Sequence, residues 1–326
     1  MKSKSNFFIG IVGVLIILFS IFYYLGKQSK PNKIEVRLKW LHQSQFAGFY
    51  YANEAGFYKD QGLDVKLNPG GIDFPAIQMV SSGSEQFGVT GADQILLARE
   101  KSIPVVALAV IYRKSPMVFF AKKTSNIIVP KDFINKTVGV KLGGNEELTY
   151  RAMMKNASID MKSITEFPVK YDMTPFFSDQ VQVWPGYVIN EVIVAEEHNT
   201  PVNIIWPSNY GVNLYADAIF TNEKMIKEHP DLVKKFIAAT IKGWDLAVNN
   251  PDQAVNYTLK YGDNLNKDHE MKMLKVSIGL LKPDNNPIGS MDKEHWIDMQ
   301  NLLLQQGFMK KPVDINQVFT TEFLPR

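Results

Sequence analysis

The segment from residue 36 to residue 67 constrains the fold of this chain more than any other stretch. Its pattern predicts a strand at 36–40, a helix that begins near Phe46, and a second strand at 63–67. Gly56 is expected to end the helix, because glycine adopts a positive φ without steric cost. A strand, a helix and a strand in this order predict a βαβ unit with parallel strands. Ligands of such sheets bind beyond the carboxyl ends of the strands, so the loop after the first strand is a candidate site.

The rest of the chain alternates strands and helices, which predicts a sheet covered by helices. A new βα unit begins in mid-chain, as expected where a second lobe is inserted into the first. We predict a first lobe made of residues 34–121 and 217–326, and a second lobe made of residues 122–216. Two strands, near 118–121 and 214–220, are expected to join the lobes. The predicted fold class is α/β, a two-lobe clamp.

The N-terminal segment predicts a membrane anchor. Residues 7–25 form an uncharged apolar run close to the ~20 residues that a membrane-crossing helix needs. Lys2 and Lys4 precede it, so the positive-inside rule places the N-terminus in the cytoplasm. The run is longer than the apolar core of a signal peptide, and no clear cleavage site follows it. We predict that residues 1–30 comprise a cytoplasmic tip, an uncleaved anchor in the cytoplasmic membrane and a linker, with a cleaved signal peptide as the alternative. Either arrangement places the remaining chain outside the cytoplasm, in the periplasm or at the cell surface.

Composition narrows the class of function. The formal net charge is +3, and basic residues are scattered among acidic ones, so no nucleic-acid partner is expected. The absence of cysteine excludes disulfides, thiol catalysis, Cys-ligated metal and lipid attachment through cysteine. The five histidines show no H-E-x-x-H spacing, and no G-x-S-x-G motif occurs. We therefore expect no enzymatic activity, no cofactor and no metal site.

The candidate ligand contacts of the first lobe follow two predicted strands. Trp40 offers a ring for stacking, His42 a hydrogen bond, and Gln43 both a donor and an acceptor. A buried core residue is the alternative interpretation of Trp40 and His42. Phe46 is a weaker candidate, because it also fits the packed face of the helix. Asp93 either pairs with an amine of the ligand or caps the helix that follows it.

The second lobe contributes two further groups of candidates. Asn145 follows two glycines at the start of a predicted helix, where backbone amides suit an anion, although the full phosphate-loop pattern is absent. Trp184, Tyr187 and Glu191 lie in the segment QVWPGYVINE, residues 182–191. The Glu191 carboxylate would be a charge-assisted acceptor for an amine; the alternative is a helix-surface glutamate.

Four blocks of this sequence resemble type II solute-binding proteins of ABC transporters. They are residues 36–67, GVTGADQILLARE at 88–100, QVWPGYVINE at 182–191, and the helical stretch 229–255. The resemblance is to the thiamine-pyrimidine, or formylaminopyrimidine, binding branch and to the related thiamine-pyrimidine synthase. It implies a periplasmic-binding-protein type II clamp that delivers a small planar heterocycle, such as a thiamine pyrimidine precursor, to the permease and ATPase subunits of an importer. It also implies that Glu191 takes the ring amine, although Val192 stands where the family often has proline.

The same resemblance also suggests alternative functions and alternative ligands. By pattern, the lysine and histidine that the synthase uses fall at Thr90 and Gln94, and its cysteine-rich loop has no counterpart, which argues against the enzyme. Related domains also serve as membrane-anchored sensory inputs, and neighbouring branches bind riboflavin or alkylsulfonates. The predicted contact segments contain only Lys39 and Lys141 as basic residues, which disfavours an anion binder.

Overall fold

The computed structural model describes residues 32–71, 73–284 and 286–325. Strands β1 to β10 comprise Asn32–Arg37, Leu63–Asn68, Phe87–Thr90, Val105–Tyr112, Met117–Lys122, Thr137–Val140, Thr165–Pro168, Trp184–Tyr187, Val202–Ile205 and Ala216–Asn222. Helices α1 to α12 comprise Ala47–Glu54, Phe57–Asp60, Ala76–Ser81, Ala92–Glu100, Gly144–Asn156, Thr174–Phe177, Glu191–Glu197, Glu223–Glu228, Pro230–Asn249, Pro251–Thr258, Lys267–Leu281 and Lys293–Gln306. Short 3-10 helices occupy Ser44–Phe46, Lys123–Ser125, Pro130–Phe133, Met161–Ser163, Pro207–Tyr210 and Ile315–Gln317.

The first lobe is built on a sheet with the strand order β2-β1-β3-β10-β4. The predicted βαβ order is observed, because β1 pairs in parallel with β2 along its whole length and α1 lies between them. The first strand comprises Asn32–Arg37 and not 36–40, so Trp40 lies in the loop after it. Gly56 follows α1 with a φ of +81°, as expected for a residue that ends a helix. Strand β10 enters between β3 and β4 and is antiparallel to both, so the chain returns to this sheet after leaving it.

The second lobe contains β5 between β8 and β9, and the parallel pair β6 and β7. The backbone amide of Gly139 donates to the carbonyl of Val183 over 2.8 Å, which connects the two groups of strands. The predicted boundary near residue 121 is wrong, because β5 pairs with β8 and β9 of the second lobe. The chain therefore crosses between the lobes at residues 113–116, between β4 and β5, and again at 206–215, between β9 and β10. The strand pattern at 118–121 was correct, but a strand buried on both faces does not specify its partner strand.

Two glycines bring α1 and α9 close together and so fix the loop that precedes α1. A Cβ on Gly243 would stand 2.3 Å from the carbonyl oxygen of Gly48, and a Cβ on Gly48 would overlap the Trp244 ring. Trp244 is fully buried and packs edge-on against Phe49. The loop at the carboxyl end of β1 thus rests on a closely packed pair of helices.

The predicted membrane anchor at residues 7–25 lies outside the described residues. Within the part of the chain that the structure describes, no helix has the length and apolar character needed to cross a bilayer.

Candidate ligand-binding site between the lobes

Lys39 lies at the centre of a polar network that joins the lobes. Its Nζ donates to the Tyr187 hydroxyl over 2.7 Å and to Asp217 Oδ1 over 3.1 Å. The network continues into the loop after β1, where Gln45 Nε2 donates to Asp217 Oδ2 over 2.6 Å. Gln43 Nε2 in turn donates to Gln45 Oε1 over 2.7 Å. Tyr187 comes from the second lobe and the other residues from the first, so the network crosses the cleft.

The charge of Lys39 is stabilised where it lies. Burial opposes the ammonium ion, but Tyr187 and Asp217 outweigh it and hold the pKa of Lys39 above its usual value. Asp217 is 1% exposed and has a φ of +48°, which is unusual for a residue other than glycine. This backbone conformation occurs at the start of β10, immediately after the second crossover. Uncommon backbone angles of this kind are frequent at ligand sites.

A pair of aromatic rings forms a second contact between the lobes. The rings of Trp40 and Tyr171 have centroids 4.7 Å apart and are tilted by 53°. The Lys141 ammonium lies 5.7 Å from the centroid of Tyr171. Trp40 is half-buried and lies three residues beyond the end of β1. The two rings provide flat apolar surfaces next to the polar network.

Glu191 is bound by groups of its own lobe. Its Oε1 accepts from Lys141 Nζ over 3.0 Å, and its Oε2 accepts from the backbone amide of Tyr187 over 2.8 Å. Burial opposes the charge of Lys141, but Glu191 and Glu146 outweigh it and raise the pKa of Lys141. Gly186 lies directly against the Glu191 side chain. A Cβ added at Gly186 would stand 2.7 Å from Glu191 Cβ. The segment predicted as a ligand motif is therefore also a closely packed turn.

Asp93 and Asn145 meet across the cleft at the starts of α4 and α5. Asn145 Nδ2 lies 3.4 Å from Asp93 Oδ1, a long hydrogen bond, and Asn145 Oδ1 has no partner within the described part of the chain. Gln94 Nε2 donates to the other oxygen, Asp93 Oδ2, over 2.7 Å. Asp93 is fully buried, and this burial raises the pKa of its carboxyl group. Asp93 makes no side-chain cap of α4, so the capping alternative is not observed.

Three of the predicted site residues lie away from this cluster. His42 faces the first lobe, where its Nδ1 lies 3.0 Å from the Tyr50 hydroxyl, and burial lowers its pKa. Phe46 and Trp184 are fully buried among core residues, and the Trp184 ring packs against Phe176. The structure thus brings together Trp40, Gln43, Asp93, Asn145, Tyr187 and Glu191.

The glycine turn before α5 is occupied by a side chain of the protein itself. Gly143 and Gly144 have φ values of +78° and +77°, which favour glycine. The Gly143 amide donates to Glu147 Oε2 over 2.9 Å. A carboxylate therefore already takes a backbone amide that would otherwise serve an anionic ligand.

A further contact between the lobes lies between α11 of the first lobe and α7 of the second. His269 Nδ1 and Lys272 Nζ lie 3.0 Å and 2.9 Å from the two oxygens of Glu197. His269 Nε2 lies 3.1 Å from Asn190 Oδ1. The lobes are thus held together both by the cluster around Lys39 and by this group.

Beside the two crossovers, a cavity of about 540 Å³ is lined by Arg113, Met117, Trp206 and Leu214, among others. None of the predicted site residues lines it. Within residues 32–71, 73–284 and 286–325, no group of three or more His, Cys, Asp or Glu is arranged to hold a metal ion.

The prediction missed Asp217 and Tyr171, and it counted Lys39 and Lys141 only as charges. The available signal for Lys39 was a polar side chain between the apolar Leu38 and Trp40, just after the first strand. Asp217 gives a similar signal, because it lies between Ala216 and Ala218 at the start of β10. These signals become informative only when the pairing of the strands is known, because it is this pairing that brings Lys39 and Asp217 to one edge of the sheet.

The chain belongs to the NMT1/THI5-like family, whose model matches residues 43–254. The expected family is thereby confirmed. Two of its relatives illustrate the similarity, and each covers most of this chain. The riboflavin-binding protein RibY of Chloroflexus aurantiacus is 24% identical over 312 residues, which cover 91% of this chain and 88% of RibY. The formylaminopyrimidine-binding protein of Halalkalibacterium halodurans is 26% identical over 303 residues, which cover 88% of this chain and 89% of that protein.

Solved structures show the same fold. The periplasmic aliphatic sulphonate binding protein SsuA of Escherichia coli superposes with a TM-score of 0.69 at 14% identity, covering 88% of this chain and 91% of SsuA. The periplasmic-binding-protein-like α/β fold is thus confirmed. Enzymes also occur among the similar proteins. A 4-amino-5-hydroxymethyl-2-methylpyrimidine phosphate synthase of Legionella pneumophila is 20% identical over 306 residues, 92% of this chain and 95% of that protein. The desulfurization enzyme DSZB has a TM-score of 0.55 at 12% identity, covering 90% of this chain and 97% of that chain.

Proposed function

We propose that this chain is the extracytoplasmic solute-binding component of an ABC importer and that it captures a small planar heterocycle between its lobes. One observation carries the proposal: both lobes send polar and aromatic side chains to the same place, where Trp40 meets Tyr171 and Lys39 meets Tyr187. Rings and paired amide and carboxylate groups suit a flat ligand with several donors and acceptors. RibY and the formylaminopyrimidine-binding protein are named for binding riboflavin and formylaminopyrimidine, and both of these ligands contain a planar heterocycle.

In this proposal the ligand stabilises the closed arrangement of the lobes. In an open form the Lys39–Tyr187, Trp40–Tyr171 and Asp93–Asn145 contacts are broken, and the ligand enters and bridges the same side chains. The ligand shifts the equilibrium only by its greater affinity for the closed form than for the open one. A permease with its ATPase subunits would then recognise the closed form, and residues 7–25 would anchor the protein to the membrane that holds them.

A thiamine pyrimidine precursor is the proposed ligand, with riboflavin as the second candidate. The charges of the cleft support an uncharged ligand over a sulfonate, because Lys39 and Lys141 are paired with Asp217 and Glu191. Glu147 also occupies the glycine-turn amide that would suit an anion.

We also propose that the chain is not an enzyme. By resemblance, Thr90 and Gln94 stand where the synthase has its catalytic lysine and histidine. Gln94 instead donates a hydrogen bond to the buried Asp93. A threonine hydroxyl forms no Schiff base, so the first step of that chemistry lacks its nucleophile. A membrane-anchored sensory input domain is a further alternative, since it would use the same clamp.

The test is a thermal-shift screen of the full chain, purified in a mild detergent. The panel contains formylaminopyrimidine, the aminomethyl and hydroxymethyl pyrimidine precursors, riboflavin and an alkylsulfonate. A ligand at a hundred times its Kd adds about 2.7 kcal/mol to the free energy of unfolding. We expect a shift with the pyrimidines. A shift with riboflavin or the sulfonate alone would discard the proposed ligand and keep the solute-binding function, whereas no shift with any solute would contradict the function itself.

A further inference from the structure

Among the described residues of the cleft, one fully buried carboxylate, that of Asp93, has no salt bridge. Lys39 pairs with Asp217 over 3.1 Å, and Lys141 pairs with Glu191 over 3.0 Å. Asp93 has no salt-bridge partner among the residues that the structure describes and is held by the side-chain amides of Gln94 and Asn145. This difference favours Asp93 as the buried carboxylate that receives a donor of the ligand, provided that the proposed solute-binding function holds.

Glu191 is poorly placed to receive an amine of the ligand. Both of its oxygens are engaged, one by Lys141 and the other by the backbone amide of Tyr187. All three residues belong to the second lobe, so opening the cleft does not release the carboxylate. Gly186 packs against its aliphatic part and fixes its position. Glu191 therefore serves as an internal brace that positions Tyr187 and Lys141.

Asp93 and Asn145 have the opposite properties. They come from different lobes, and their contact of 3.4 Å is long for a hydrogen bond. Asn145 is only 6% exposed, yet its Oδ1 has no hydrogen-bond partner in the described structure. A buried acceptor without a hydrogen-bond partner raises the free energy of the protein. A ligand donor that reaches it therefore contributes more to the binding free energy than a donor at an exposed position.

We propose that Asp93 and the amide oxygen of Asn145 form the subsite for an uncharged amino group of the ligand. One N–H of the amino group is donated to the Asp93 carboxylate of the first lobe and the other to Asn145 Oδ1 of the second. The amino group replaces the long contact between the two side chains with two short ones. Because the acceptors lie on different lobes, the amino group ties ligand recognition to closure.

The surroundings of Asp93 agree with this role. Burial raises the pKa of its carboxyl group, and Glu146 acts in the same direction, while Gln94, Lys39 and Asn145 oppose the shift. A buried carboxylate whose hydrogen bonds come from neutral amides is strongly stabilised by an additional hydrogen-bond donor. At low pH the Asp93 carboxyl group becomes protonated and accepts fewer hydrogen bonds. The preference of the protein for a ligand with an amino group is therefore expected to decrease as the pH falls.

The test compares two probes that differ by one amino group, 4-amino-2-methylpyrimidine and 2-methylpyrimidine. Calorimetric titration of the full chain, at a pH where both are uncharged, gives the ratio of their affinities. We expect the parent protein to prefer the amino compound by about tenfold or more, the range of a hydrogen bond to a charged group. Asp93→Asn and Asn145→Ala are expected to bring the ratio close to unity, whereas Glu191→Gln is expected to keep it.

Three outcomes would overturn the inference, and they separate it from the proposed function. If Glu191→Gln removes the preference while Asp93→Asn keeps it, the amine subsite is at Glu191 and the solute-binding function stands. If the parent protein binds both probes equally, no amine subsite exists in the cleft. If neither probe binds the parent, the inference and the pyrimidine ligand fail together. Circular dichroism of each variant confirms folding, and Asn145→Ala gives an independent reading should Asp93→Asn fail to fold.

Discussion

The hydrogen bond between Lys39 and Tyr187 predicts how strongly the lobes are coupled. Tyr187→Phe removes a single hydroxyl, which accepts from Lys39 Nζ over 2.7 Å, and it leaves the pairing of Lys39 with Asp217 intact. A hydrogen bond to a charged group contributes about 1.5–3 kcal/mol net. Since this bond crosses the cleft and the Lys39–Asp217 pair does not, its loss is expected to fall on the closed form alone. Each ~1.4 kcal/mol changes the ratio of closed to open molecules about tenfold.

Energy transfer between two dyes measures this ratio directly. The chain has no cysteine, so Lys59→Cys in the first lobe and Lys162→Cys in the second give unique, exposed labelling sites. We expect Tyr187→Phe to move the labelled protein toward larger distances, and a saturating ligand to restore the short distance in part. Adding Lys39→Met is expected to produce little further opening, because the bond is already lost.

A matched control removes the same hydroxyl within one lobe. The Tyr58 hydroxyl lies 2.8 Å from Thr240 Oγ1, and both residues are buried in the first lobe. Tyr58→Phe is expected to lower the free energy of unfolding without changing the distance between the dyes. The reasoning is refuted if Tyr187→Phe leaves the distance distribution of the parent, or if Tyr58→Phe changes it equally.

Three further changes test other parts of the structure. Arg37→Met is expected to lower the free energy of unfolding by about 3–5 kcal/mol in urea titration, because it leaves the buried Glu85 carboxylate without its cation. Gly186→Ala is expected to cost about 1–3 kcal/mol in the same assay, because its Cβ would stand 2.7 Å from Glu191 Cβ. Asp93→Asn is expected to stabilise the protein at neutral pH. Folding raises the pKa of Asp93, so its ionisation destabilises the folded state at any pH above the ordinary aspartate pKa. The stability advantage of Asp93→Asn over the parent is therefore expected to vanish as the pH falls to that pKa.

The controls for these changes use neighbouring chemistry. Gly279 lies in α11, and a Cβ there would meet no atom within 4 Å, so Gly279→Ala is expected to be neutral or slightly stabilising. Equal losses at Gly186 and Gly279 would contradict the packing argument. For Asp93→Asn, a stability difference that stays constant from acid to neutral pH would contradict the raised pKa.

Much of the fold was predictable from local patterns. The apolar alternation of β2 and the position of Gly56 predicted the βαβ opening, because both are properties of a few consecutive residues. The partner of β5 was not predictable in the same way. Its residues are almost all buried, so its sequence reads as a strand with no exposed face to orient it. The lobe boundary was therefore misplaced by the length of one strand.

The candidate site was predicted only in part for a similar reason. Trp40 and Tyr187 were found because aromatic residues stand out beside turns and match a family motif. Asp217 was missed because it follows the second crossover and meets Lys39 only when β10 enters the first sheet. Trp184 matched the same motif as Tyr187, but successive residues of a strand face opposite sides, and so do residues three apart. The Trp184 ring therefore enters the core.

Calorimetric titration of the full chain with formylaminopyrimidine tests the central claim most directly. If both lobes contribute to one site, we expect saturable binding of one ligand per chain, and Trp40→Ala and Tyr187→Phe, from opposite lobes, are each expected to weaken it. A cleft that binds between its lobes is sensitive to loss on either side. Affinity that depends on residues of one lobe alone, or the absence of binding with a folded protein, would contradict the account.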